Sequence, residues 1–275
     1  KIYAFVAGNA LSIGLIGAVT AGPPLRFLLD TFAWRQVITT TGLMTLALGG
    51  VIWFVIRDWP QEKGYPGFID QIPSATSLSA RRILQDLFKI FKYRNIGLLF
   101  VIPGGITGCI LTFSGLWGVP YLVSHYSLSP AKAAGMTSVL LIGWAMGAPV
   151  FGWLSDYMGK RKSLYIAGVV VTSLGWSLIL FRESLSVFQL VMALSVTGFF
   201  SGSIVISFAF VMESVPLSLS GTAAGLTNMG VMMGPMLLQP FVGRILDYHW
   251  TGQMIDGVRI YPLEAYEYGF IPMMA

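Results

Sequence analysis

Seven stretches of this chain contain no Asp, Glu, Lys or Arg: residues 5–25, 36–56, 96–121, 133–154, 163–181, 187–212 and 219–243. A hydrocarbon core about 30 Å thick needs roughly 20 apolar helical residues, because a helix rises 1.5 Å per residue and must pair every backbone group within itself. Each run meets that length. Soluble domains carry about 25% charged residues, whereas this chain of 275 residues has 11%, with 55% hydrophobic residues and a mean hydropathy of +0.73. A water-soluble fold would have to hide nearly all of that surface. The sequence therefore predicts an all-α polytopic protein, integral and multi-pass, with the lipid bilayer as its solvent.

Residues 267–275 begin an eighth apolar run too short to span, and Lys1 leads almost directly into the first run. The reading is of a piece incomplete at both ends. The formal charge of +5 does not describe a nucleic-acid groove, since the 17 basic residues lie between the apolar runs. Cys109 is the single cysteine and lies inside the third run, which excludes an intrachain disulfide and a multi-cysteine metal site and reads as packing.

Consecutive crossings place alternate connections on opposite sides, so basic residues set the orientation. One side collects Lys1, Arg57, Lys63, Arg81, Arg82, Lys89, Lys92, Arg94, Lys160, Arg161 and Lys162; the other collects Arg26, Arg35, Lys132, Arg182, Arg244 and Arg259. Eleven against six makes the first side cytoplasmic. Seven of the eleven come from one connection, residues 57–95. Its Pro- and Gly-rich beginning is an irregular linker. Residues 79–93 place Ile83, Leu87, Ile90 and Phe91 on one helical face, as in an amphipathic helix at the membrane surface.

The run ends repeat a pattern. Pro23 precedes Asp30 by seven residues, Pro149 precedes Asp156 by seven, and Pro240 precedes Asp247 by seven, each pair three crossings after the last. Three crossings reverse the side of the membrane, so the pattern fits a three-helix unit recurring in inverted topology, a construction of secondary transporters.

The sharpest local signal is GWLSDYMGKRK at residues 152–162. Gly152 permits close helix packing, Asp156 puts an anion at the membrane edge, Gly159 permits a tight turn, and Lys160, Arg161 and Lys162 anchor that turn in an anionic surface. From the residues alone this is a stop signal with positive-inside charges, or a gate in which Asp156 caps a neighbouring helix or pairs with a base.

This stretch resembles the loop signature of the major facilitator superfamily, Gly-x-x-x-Asp-x-x-Gly-Arg/Lys-Arg/Lys, with Gly152, Asp156, Gly159, Lys160 and Arg161 on the motif positions. Tyr157 departs from it, standing where a basic residue is common, and leaves Arg161 and Lys162 to pair the aspartate. The FAWR segment at 32–35, Glu213, Pro216 and SGTAAGLTN at 220–228 resemble further family segments in the same order. The resemblance implies two six-helix bundles with inverted three-helix repeats. On it, residues 1–56 are the last two helices of the N-terminal bundle, 57–95 the cytoplasmic linker, and 96–275 the C-terminal bundle with its last helix truncated. The seven runs become helices five to eleven, and Glu213 joins the motif residues at a cytoplasmic gate.

The same resemblance makes the third and sixth runs line a central cavity and the second and fifth face lipid. The third run carries Thr107, Thr112, Ser114, Trp117 and Tyr121; the sixth carries Ser195, Thr197, Ser201, Ser203 and Ser207. Small hydroxyls in a helix also bond back to the preceding turn, so each is a solute contact or a packing residue. Trp117 and Tyr121 share a face and could cap a solute or belong to an interfacial aromatic belt. Asn228, with Asn9 and Gln189 behind it, has an amide that is costly to leave unpaired in lipid. The expected solute contacts are Ser114, Trp117, Tyr121, Ser203, Ser207 and Asn228.

No charged residue lies at the middle of a run, so these spans offer no proton relay. His125 and His249 fall outside the runs, and no histidine, cysteine and carboxylate grouping suggests an enzyme or a metal site. The expected function is a secondary transporter of a small organic solute, coupled to a proton or sodium ion, in a bacterial inner or plasma membrane, without a cofactor. A non-transporting sensor or scaffold of the same architecture is the alternative.

Overall fold

The computed structural model describes residues 2–57, 60–65, 85, 87–182, 185–255 and 257–274. Seven helices among them are long and apolar enough to cross a membrane, and they coincide with the seven charge-free runs. The chain is an all-α, multi-pass integral membrane protein. It forms two compact units, residues 20–83 and residues 1–19 with 84–275.

The smaller unit holds the second half of α1 (Tyr3–Thr31) and all of α2 (Trp34–Val55). Of α2 only Val37 is buried. Most of the linker and most of the expected amphipathic helix lie outside the described residues. Residues 85 and 87–90 are helical; Ile90 is fully buried, Leu87 packs against the core, and Phe91 meets Phe100 edge-on at 6.3 Å.

The larger unit is a helical bundle. Its members are α3 (Ile96–Thr112) continuing through a π-turn (Phe113–Trp117) into α4 (Gly118–Tyr126), then α5 (Pro130–Met158) and α6 (Arg161–Phe181). Next come α7 (Val187–Ser201), a 3-10 turn, α8 (Val205–Glu213), α9 (Ser220–Tyr248) and the short α10 (Leu263–Phe270). Between α9 and α10 a two-residue antiparallel ladder pairs β1 (Met254–Ile255) with β2 (Val258–Arg259). Helix starts follow local chemistry: Ser129 caps α5 with Pro130 at its first position, and Ser186 with Gln189 forms a reciprocal capping box on α7.

Lipid tails are as apolar as leucine, so helices in a membrane associate by close packing, and small residues permit it. Two crossings show this. Helices α3 and α9 meet where a Cβ on Gly234 would collide with the Gly104 carbonyl. Helices α5 and α7 meet where a Cβ on Gly147 would collide with the Phe199 carbonyl and one on Gly202 with the Gly147 backbone. Glycines recur four residues apart at both crossings: Gly104 and Gly108 on α3, Gly230 and Gly234 on α9, Gly143 and Gly147 on α5, and Gly198 on α7 with Gly202 opening the 3-10 turn that follows. Toward one end, Phe113, Tyr121, Trp176, Tyr266 and Phe270 form an aromatic core that seats α10.

The prolines near the run ends do not stop their helices. Asp30, Asp156 and Asp247 lie in the last turns of α1, α5 and α9, which continue past Pro23, Pro149 and Pro240.

Candidate functional site

The first half of α1 belongs to the larger unit and runs against α5 on small side chains. A Cβ on Gly8 would meet the Ala148 carbonyl at 2.5 Å, one on Gly152 would collide with the Ala4 carbonyl, and the Ser12 hydroxyl donates to the Ala145 carbonyl. This contact brings the start of α1 to the end of α5. There the Phe5 N–H, in the first turn of α1, donates to Asp156 Oδ2 at 2.9 Å. A carboxylate at a helix N-terminus satisfies an amide without an intrahelical acceptor and faces the positive end of the helix dipole.

The other oxygen of Asp156 is also engaged. Helix α5 ends on Gly159, whose φ of +63° lies in the left-handed region and whose N–H donates to the Ser155 carbonyl at 3.0 Å. With Lys160 it makes a two-residue reversal that brings Arg161, the first residue of α6, back beside the helix it has just left. Arg161 Nη1 donates to Asp156 Oδ1 at 2.7 Å and to Ser155 Oγ at 2.8 Å. Its Nη2 donates to Glu213 Oε1 at 2.8 Å, and its Nε lies 3.2 Å from both Glu213 oxygens. Three helix ends are thereby tied: the start of α1 through Asp156, the start of α6 through Arg161, and the end of α8 through Glu213. The side chains of Asp156 and Arg161 are 7% and 12% exposed, that of Glu213 54%, so the inner pair has the lower dielectric surroundings.

Of the six expected gate residues, Asp156 and Glu213 are joined through Arg161, while Gly152 and Gly159 supply the close approach and the turn. Lys160 is exposed. Tyr157, at the departing motif position, is exposed and stacks on Trp153 at 5.6 Å. Ser155 as a partner of Arg161 was not anticipated; its place one turn before Gly159 is the signal that could have found it.

The six expected solute contacts do not gather at one place. Ser203 and Ser207 are wholly buried: Ser207 donates to the Ile204 carbonyl at 2.6 Å, and Ser203 lies against Gly168. Tyr121 is buried in the aromatic core, with its hydroxyl 3.4 Å from the Ile179 carbonyl. Asn228 is exposed on α9. Ser114 and Trp117 lie in the π-turn; Ser114 donates to the Ile110 carbonyl at 2.7 Å, and Trp117 Nε1 to the Gln239 carbonyl at 3.1 Å.

Gln239 escaped the sequence reading. Its side-chain Nε2 donates to the Leu111 carbonyl at 3.1 Å, two residues before the widened segment. Trp117 and Gln239 thus bind α9 to the π-turn in both directions. Such turns frequently occur at functional positions in helices, and no local sequence signal pointed to Gln239, whose acceptor lies 128 positions away.

At the C-terminal end of α9, Asp247 Oδ1 accepts from Arg259 Nη1 and from the Tyr261 hydroxyl, both at 2.7 Å. Partial burial, then the hydrogen bond to Asp247, pushes the Tyr261 phenol above its ordinary pKa. Arg259 also covers Trp250 at 4.7 Å, which holds the β1–β2 loop to the helix end. Among the described residues no group of three or more His, Cys, Asp or Glu could hold a metal ion.

Comparison with known proteins bears on the whole chain. The family profile described as Major Facilitator Superfamily matches residues 3–238. Monocarboxylate transporter 12 of Xenopus laevis is 25% identical over 276 residues, covering 93% of this chain and 56% of the relative. Membrane sensor protein UhpC of Salmonella typhimurium is 26% identical, covering 80% and 52%, and the gallate transporter of Pseudomonas putida is 24% identical, covering 84% and 55%. The chain spans about half the length of these curated relatives. With its seven apolar helices and a family match across most of its length, this chain belongs to the major facilitator superfamily.

Proposed function

We propose that this chain is part of a secondary transporter that moves a small organic solute by exposing one cavity alternately to each side of the membrane, with the Asp156 cluster as its cytoplasmic latch. The observation that carries the reading is the double engagement of Asp156 by the Phe5 amide and the Arg161 guanidinium. A carboxylate that holds two helix ends releases both when it lets go, which suits a contact made in one state of a rocking cycle and broken in another. Names among the relatives, monocarboxylate and gallate transporters, support a small organic solute. We place the motif residues Gly152, Asp156, Gly159, Lys160 and Arg161, with Glu213, at that latch, and assign solute contact to the accessible polar positions at Ser114, Trp117 and Asn228. On this reading residues 57–95 join two six-helix bundles.

Solute movement coupled to a proton or sodium ion belongs to the same proposal, and the uncharged middles of these spans favour a coupling group outside them. The test is uptake by the full-length protein in proteoliposomes against a panel of monocarboxylates, aromatic acids, sugars and amino acids, with and without imposed proton and sodium gradients. Gradient-stimulated accumulation of one class is expected. Binding of a solute without any uptake would favour the second reading, a sensor, to which the similarity with a membrane sensor protein points.

A further inference from the structure

A groove of about 510 Å³ runs between α6 and α7, away from the latch and from the π-turn. Leu174 and Leu178 of α6 and Phe188, Met192 and Val196 of α7 form its walls, all of them exposed, and buried Leu185 and Ala193 close its floor. Among the described residues its one charged lining residue is Arg182, the C-cap of α6, which is exposed and has no carboxylate partner among them. The amide oxygen of Gln189, the other polar lining residue, accepts from the Ser186 N–H in the capping box of α7.

The dimensions identify the occupant. From Val171 to Arg182 the groove follows α6 for roughly 16 Å at 1.5 Å per residue, about half of a hydrocarbon core roughly 30 Å thick. That is the depth of one lipid leaflet. An apolar channel one leaflet deep, with a guanidinium where the chain meets the interface, matches a single acyl chain below a phosphate. Arginine suits that phosphate because its planar fork donates two parallel hydrogen bonds to it. We propose that the α6–α7 groove is a phospholipid site, in which one acyl chain lies along Leu174, Leu178 and Met192 and the headgroup phosphate is held by Arg182. The proposal is independent of what the protein transports.

Native mass spectrometry of the full-length protein, delipidated in detergent, tests it with three probes: phosphatidylglycerol, diacylglycerol with the same chains, and inorganic phosphate. The wild type is expected to retain one phosphatidylglycerol, to hold diacylglycerol roughly tenfold less tightly for lack of the charged hydrogen bonds, and to take up no inorganic phosphate alone. Arg182→Gln should weaken phosphatidylglycerol to the level of diacylglycerol, Arg182→Lys should recover part of the loss, and Leu178→Trp, which fills the channel, should expel both lipids. Equal retention of phosphatidylglycerol by the wild type and Arg182→Gln overturns the proposal, as does a lipid-free dimer or phosphate binding without a chain. Arg182 is exposed, so its two variants keep the test intact even if Leu178→Trp does not fold.

Discussion

Asp156 Oδ2 accepts the backbone N–H of Phe5, 151 positions away in the chain, and no side chain of α1 takes part in that bond. The partner of the motif aspartate is a helix terminus, so its contribution depends on where α1 begins relative to α5 and not on which residue stands at position 5. Small residues at Ala4, Gly8 and Ser12 set that position by letting the two helices approach.

Asp156→Asn keeps the shape of the side chain and removes its charge. Hydrogen bonds to charged groups are worth about 1.5–3 kcal/mol, and the low exposure of this carboxylate keeps it near that range. The variant is expected to lower the initial uptake rate at matched surface expression; rates equal to the wild type would remove Asp156 from the latch.

Glu213 and Arg161 should separate by exposure. Glu213→Gln touches a half-exposed pair and should weaken the latch by under about 1 kcal/mol. Arg161→Lys retains charge but cannot reach Ser155, Asp156 and Glu213 together, since an ammonium lacks the guanidinium fork. Uptake should therefore fall further in Arg161→Lys than in Glu213→Gln, and the reverse order would refute the assignment of Arg161 as the hub.

The crossing of α3 and α9 leaves no space for a methyl group at Gly234. Gly234→Ala should cost about 1–3 kcal/mol through forced separation of the backbones, read as lost monodisperse yield and a lower melting temperature in detergent. Gly135→Ala, where an added Cβ meets nothing within 4 Å, should be tolerated or slightly stabilising through helix propensity. Similar melting temperatures for both variants would contradict the crossing.

Gln239→Leu deletes the bond to the Leu111 carbonyl beside the π-turn. Backbone amides of residues 113–118 should then exchange hydrogen faster than in the wild type, with little change in α5. Unaltered exchange there would mean that the widened turn is held by α3 alone.

Asn228 stands exposed on α9. Asn228→Ala is expected to weaken apparent affinity for the transported class by about 0.5–1.5 kcal/mol, the usual net worth of a neutral hydrogen bond. Unchanged competition across the solute panel would return Asn228 to a structural role.

The spans were readable because length and lack of charge are local properties: a run such as 163–181 declares itself without knowledge of its neighbours. The reversal after Gly159 was readable for the same reason, since a positive φ beside a basic cluster needs only a few consecutive residues. The hydroxyls were not. Ser203, Ser207 and Asn228 look alike in sequence, as polar residues in apolar helices, and only the packing of α7 and α8 on α5 and α6 encloses the first two while α9 leaves the third exposed. Gln239 was invisible because a π-turn widens a helix by one residue without any change of hydrophobicity, and its acceptor is 128 positions away.

By itself, then, the sequence determined that the chain carries seven runs long and apolar enough to cross a membrane, where its helices reverse, and that an aspartate and a basic cluster stand at one reversal. Only the tertiary structure decided what that aspartate holds. A charge at a helix end is fixed by the water–lipid boundary, which acts on each segment separately, whereas the meeting of Phe5, Asp156, Arg161 and Glu213 requires helices distant in sequence to approach closely on small side chains.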